Sequence, residues 1–245
     1  MSDDSQSCLV EKLSYYIDID ETAEDHLASL EEQERSYHRH QEVYSEGDEL
    51  KYLYVVKEGW FYSYTDMPDG RRQIVRVLHP GDIIGFPDIA FTEATCSIRA
   101  SEDGCLCPFP KRKLDAIFKE SPKLTALMFS IANRDHACVI DTLRAMGRMS
   151  ARERLSYFFL DLISRLRITN KQMTDTIRMP MNQHEMGDAL GLTHTYVSKT
   201  IREMEDEGLI SRDGDTLTLE QEDRLKSMVD FSDRYAKLDT SWFPK

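Results

Sequence analysis

No apolar stretch of this 245-residue chain approaches the eighteen or so residues of a bilayer-crossing helix, so no helical membrane span is expected. Cysteine is sparse and unpatterned. Cys8, Cys96, Cys105, Cys107 and Cys138 form an odd set without paired zinc-ligand spacing, which argues against a disulfide framework. Neither a Gly-x-Ser-x-Gly nucleophile elbow nor a phosphate-binding P-loop occurs. Basic residues are also short: 31 Lys and Arg stand against 44 Asp and Glu, a formal net charge of −13. That balance weighs against a polyanionic partner at first sight. Phosphate contact, however, depends on a local basic face and not on the sum. The acid is concentrated in residues 21–34 and 42–49 and in the tail from Glu220. The opening Met1-Ser2-Asp3-Asp4-Ser5 is acidic and polar, unlike a secretory leader, so a cytoplasmic protein is expected.

What remains is an ordinary globular balance, 40% hydrophobic and 31% charged, in a chain long enough for two domains. From Ser14 to about Arg35 the pattern predicts short helices. Between Tyr37 and Pro110 short β-rich runs follow, among them Tyr52-Leu53-Tyr54-Val55-Val56 and Trp60-Phe61-Tyr62-Ser63-Tyr64. Gly47, Gly59, Gly70, Gly81 and Gly85 punctuate them, with Pro68-Asp69-Gly70 as a hairpin turn. Such texture reads as a sandwich, roll or barrel. A long helix is predicted from Ser121-Pro122 to about Met146, where Gly147 is expected to break it. Its apolar stripe of Leu124, Leu127, Met128, Ile131, Cys138, Val139, Thr142, Leu143 and Met146 is wide enough to serve its own core and a partner helix. Ser150 is expected to cap the next helix, and residues 167–178 read as a polar connection.

Residues 180–219 carry the functional signal. Asn182 is placed to cap a short helix ending at Leu190, Gly191-Leu192-Thr193 forms a tight turn, and Thr193 caps a second helix reaching about Glu207. Gly208 terminates it, and a hairpin follows around Asp213-Gly214. Helix, tight turn, helix and two-stranded wing are the order of a winged helix-turn-helix. The second helix buries Val197, Ile201 and Met204 and turns His194, Thr195, Tyr196, Ser198, Lys199 and Arg202 outward. Hydroxyls and cations near a helix start suit base edges and phosphates of double-stranded DNA.

Over nearly its whole length the chain resembles the CRP/FNR superfamily of bacterial transcription regulators. The resemblance rests on Gly47-Asp48, Gly59, Gly70, Pro80-Gly81-Asp82-Ile83-Ile84-Gly85, the long helix, and Met186-Gly187-Asp188-Ala189-Leu190-Gly191-Leu192-Thr193 with Val197-Ser198. The helix-turn-helix looks most like the FNR/FixK branch. It implies an α+β architecture: a cyclic-nucleotide-binding-like β-roll with N-terminal helices in residues 1–120, a dimerisation helix in 121–146, and a winged helix-turn-helix in 147–219. A helical extension fills 220–245. It also implies a homodimer on a two-fold symmetric site, RNA polymerase as a further partner, and room in the roll for a small-molecule effector. The implied dimer contacts are Leu124, Leu127, Met128, Ile131, Val139, Thr142 and Met146. Thr195, Ser198 and Lys199 are expected on bases, and Gln183, Thr193 and Arg202 on the backbone. No cofactor is expected.

Departures from the family pattern shape these expectations. Phe86 follows Gly85 where cAMP-binding members carry glutamate, and Ala94-Thr95 stands where they carry Arg-Ser/Thr, so cAMP binding is not expected. The N-terminal region has only Cys8, too few for the iron–sulfur cluster of oxygen-sensing members. Thr195 and Lys199 replace a base-reading glutamate and arginine, predicting a shifted or relaxed half-site. Three further readings stay open. Cys105 and Cys107, sharing a strand face, form a thiol sensor with Cys96, or are simply buried. Cys138 faces its mate across a dimer axis. His38 and His40, with Glu42 and Glu46, mark a metal-dependent cupin-like enzyme whose third histidine is missing. A ligand-binding protein with a vestigial winged helix is the remaining alternative. The tail 220–238 is expected to form one helix, packed on its own domain or contacting the sensor or a partner chain.

Overall fold

The computed structural model describes residues 7–170 and 173–244. The chain divides into two compact units. The first holds the residues up to Thr65, Arg76–Asn133 and those from Lys237 onward; the second holds Asp66–Val75 and Arg134–Ala236. The tip of one hairpin and the end of the chain thus change sides relative to the boundaries expected from sequence.

The first unit opens with α1 (Cys8–Leu13) and α2 (Glu21–Ser29), capped by the side chains of Ser7 and Asp20. Eight strands follow: β1 (Arg35–Tyr37), β2 (Glu42–Tyr44), β3 (Tyr52–Glu58), β4 (Phe61–Asp66), β5 (Arg72–Leu78), β6 (Ile83–Ile84), β7 (Ser97–Ala100) and β8 (Gly104–Pro110). They form two four-stranded sheets, ordered β1-β8-β3-β6 and β2-β7-β4-β5. The uninterrupted apolar run of β3 follows from burial on both faces. Tyr54 and Val56 point into the roll with Phe61, Ile84, Ile98 and Leu106. Leu53 and Val55 point the other way, into a second core with Leu9, Leu27, Phe109, Ile117, Leu127 and Phe243. Neighbouring β8 repeats the alternation, Leu106 facing the roll and Cys107 the helical side.

A short α3 (Leu114–Glu120) leads into α4 (Pro122–Arg148), which passes straight through Gly147. The expected break is not made there: the helix ends where Ser150 takes an extended conformation and, with Glu153, forms a reciprocal capping box for α5 (Ala151–Thr169). In the second unit, β9 (Thr176–Arg178) lies within the stretch expected to be an irregular connection. Positions 171 and 172 of that stretch lie outside the described residues. α6 (Gln183–Leu190), α7 (His194–Asp206), β10 (Ser211–Asp213) and β11 (Thr216–Thr218) follow. β9 pairs with β11, Ile177 opposite Leu217, so the wing is three-stranded. Only Ile177 of β9 is buried, too little apolar patterning to announce a strand.

The final helix, α8 (Glu222–Val229), is shorter than expected because Asp230 adopts a left-handed φ of 48°. The chain continues without helix, pinned by side chains. Asp233 accepts from the backbone N–H groups of Tyr235 and Ala236. The Tyr235 hydroxyl donates to Asp161 at 3.0 Å, Arg234 reaches Asp141 at 2.8 Å, and Arg134 sits 4.8 Å over the Tyr235 ring. Beyond residue 236 the tail belongs to the first unit, where Leu238 packs against the core that contains Phe243.

Candidate nucleic-acid interface

The two helices of the interface are fixed by residues close to them in sequence. The Asn182 side chain accepts from the N–H groups of His184 and Glu185, while Glu185 accepts from the Asn182 N–H at 2.8 Å. At the other end of α6, Gly191 takes a φ of 64° that side-chain-bearing residues disfavour. Gly187 has a steric role: a Cβ there would lie 2.6 Å from the carbonyl oxygen of Leu192. Thr193 then caps α7 by accepting from the Tyr196 N–H.

One face of α7 is locked into the core by Val197, Thr200, Ile201 and Met204. Opposite it, Thr195, Lys199 and Arg202 are exposed, and their three- and four-residue spacing aligns them on one side. Ser198 is half-buried, its hydroxyl within hydrogen-bond reach of Gln183 Oε1 and of the His194 carbonyl at 2.9 Å. Of the residues singled out from sequence, Gln183 and Ser198 are therefore brought together, and Thr193 acts first as a cap. His184 was not singled out. Its exposed ring stacks on that of His194, centroids 4.1 Å apart and planes 25° from parallel.

The acidic residues late in α7 are largely neutralised within the unit. Arg212 of the wing forks onto Glu205 at 2.9 and 3.0 Å, and Arg152 of α5 onto Glu207 at 2.8 and 2.6 Å. Lys199 has Glu203 one turn away at 3.7 Å, an exposed pair that a phosphate or base can displace at small cost.

On α4, burial corrects the expected partner face. Leu124, Leu127 and Met128 lie in the core of their own unit, so they are not available to a second chain. Ile131, Thr142 and Met146 are half-buried, and only Val139 of the expected set is well exposed. The large apolar side chains left open are Phe129, Val139, Ile140 and Leu143, the last 71% exposed. Cys138 is buried beside Tyr235, not on this open face, which removes the expected cross-axis thiol.

Two models of known domains match the chain: a cyclic nucleotide-binding domain over residues 34–121 and a Crp-like helix-turn-helix domain over residues 153–228. The chain is 26% identical over 224 residues to the fumarate and nitrate reduction regulatory protein of Escherichia coli K12, covering 91% of this chain and 89% of the relative. Among solved structures it is similar to FixK2 from Bradyrhizobium japonicum, with a TM-score of 0.70 and 24% identity over 80% of this chain and 96% of that one. A mutant of CooA from Carboxydothermus hydrogenoformans gives 0.65 and 22%, covering 82% and 90%. Roll, long helix and winged helix together define a DNA-binding transcription regulator. The chain belongs to the CRP/FNR family.

Its roll does not fit a cyclic phosphate at the position the family uses. Ala94 is buried, and the neighbouring Thr95 gives its hydroxyl and, at 3.3 Å, its N–H to the carboxylate of Asp88. Asp88 is itself buried, so an acceptor occupies the ground where an anion would need donors. The thiol-sensor reading also loses its basis. Cys105 and Cys107 do share a face, but burial pushes Cys107 up to about 12, reinforced by the nearby Glu31. Cys8 is raised to about 11, again by burial first and Glu31 second, so neither offers a reactive thiolate. His38 and His40 lie in a turn after β1, not on a strand face, and no cluster suited to a metal ion occurs among the described residues. No helix among the described residues is long and apolar enough to cross a membrane.

Proposed function

We propose that the protein acts in the cytoplasm as a homodimeric regulator, not an enzyme, binding a two-fold symmetric duplex through α7 and working alongside RNA polymerase. The observation that carries this reading is the split of α7. One face is held rigidly by the core, the other offers Thr195, Lys199 and Arg202, and acids further along are engaged by Arg212 and Arg152. Thr195, Ser198 and Lys199 meet bases; Gln183, Thr193 and Arg202 fix the backbone. The dimer seam runs along Phe129, Val139, Ile140 and Leu143, whose exposure in one chain supports a partner there. Ile131, Thr142 and Met146 flank it. Any effector in the roll is something other than a cyclic nucleotide.

Selection from a random DNA pool tests the reading. The expected result is an enriched inverted repeat with half-sites about one helical turn apart. Substituting Lys199 by Ala is expected to weaken binding and relax the preference at one position of each half-site, by about 1–3 kcal/mol. A pool that enriches nothing, or a K199A variant with unaltered affinity and preference, overturns the assignment.

A further inference from the structure

The helix-turn-helix brings together two imidazoles that the sequence keeps ten residues apart. His184 is the second residue of α6 and His194 the first of α7, and both rings are exposed in a stack 4.1 Å from centre to centre. The stack adjoins the proposed contact residues. Gln183 precedes His184 and reaches Ser198, and Ser198 lies one turn along α7 from His194, close to its carbonyl.

We propose that the His184–His194 pair is a phosphate-contacting element that takes up a proton when the protein binds DNA, so that affinity rises as pH falls through the imidazole range. This rests on the DNA-binding reading above and deepens it. Two neutral imidazoles share flat faces without cost, and a first proton is easily accommodated beside the neutral ring. A second is opposed by the like charge only 4.1 Å away. One added positive charge per protomer is therefore the expected increment. The positive ends of α6 and α7 disfavour that proton in the free protein and attract the phosphate that favours it, so uptake is coupled to binding.

The charged groups around the pair are compatible with this. On α6, Asp188 lies one turn from His184, and burial holds its carboxyl above the ordinary value, with Arg72 and His184 acting in the opposite direction. Glu185 is turned into its capping box. The hairpin tip contributes Arg72, paired with Asp66 at 3.2 Å, and α7 contributes Lys199, paired with Glu203. No carboxylate of α7 precedes Glu203, so the front of the helix presents nothing anionic to compete with phosphate.

Fluorescence anisotropy on the full-length protein, with a labelled duplex selected at about pH 8, reads the effect directly. Wild type is expected to bind about tenfold more tightly at about pH 6, these two values lying either side of imidazole's ordinary pKa of ~6.5. The slope of log affinity against log salt is expected to steepen by about 0.9 for each added phosphate contact. The double variant H184Q/H194Q, with an unchanged circular dichroism spectrum, is expected to bind at about pH 8 within roughly twofold of wild type, yet to lose both increments. A wild type that binds selectively but with a flat pH profile overturns the proposal alone, as does a double variant that keeps the rise. Failure to select any duplex at either pH overturns the DNA-binding reading and this inference with it.

Discussion

Gly187 shows how finely the interface depends on single residues. The Leu192 carbonyl oxygen lies only 2.6 Å from where a Cβ would stand, so G187A forces the turn between the two helices to open. The expected cost is about 1–3 kcal/mol, visible as a lower melting temperature together with lost duplex binding. N182A removes an N-cap without steric conflict, so a milder loss of about 1 kcal/mol with retained specificity is expected from denaturant titration. In the roll, the Asp88–Thr95 pair predicts that calorimetric titration with cAMP or cGMP gives no saturable heat. These local features were legible without coordinates because caps and turns are written in adjacent residues: Asn182, Gly191, Thr193 and Gly208 each announce their own geometry. The His184–His194 stack was not legible, since nothing in linear order says which side chains a tight turn will bring face to face.

At the level of elements, α4 marks the limit of periodicity as a guide. A stripe wider than one seam tells that a helix has two partners but not which edge each one takes. Leu124, Leu127 and Met128 resolve onto the core, leaving Phe129, Val139, Ile140 and Leu143 for a second chain. I140E/L143E is accordingly expected to yield a monomer in sedimentation with near-native helicity, while L127A should lower stability by about 2–5 kcal/mol. α5 and α8 are joined by Arg167, whose guanidinium forks onto Glu222 at 2.8 Å on both oxygens. That guanidinium, with Lys226, holds the Glu222 carboxyl down at about 2. A carboxyl depressed in the folded state stabilises above its unfolded pKa of ~4.3 and progressively less as pH falls toward the folded value. Melting temperature should thus fall between about pH 4.3 and pH 2 in wild type, and less steeply in E222Q.

Across the whole molecule, the roll, long helix and winged helix follow in the order read from sequence, while the last residues do not stay where that order puts them. Tail residues Leu238 and Phe243 have apolar side chains that need burial, and they find it in the core built by α1, α2, β3 and α4. Sequence pattern could not reveal this, because a lone Phe243 after a break carries no periodicity to name its destination. A chain ending at Ala236 is expected to keep the winged-helix fold while its first unit melts at a lower temperature, a separation that scanning calorimetry resolves.

The placement of Phe243 also bears on how the protein is made. Leu9, Leu27 and Phe243 share one core, so parts of the chain that leave the ribosome early and late must meet before it closes. The recognition helices are synthesised in between, which lets the DNA-binding unit finish folding first and leaves the N-terminal unit incomplete until Phe243 has emerged.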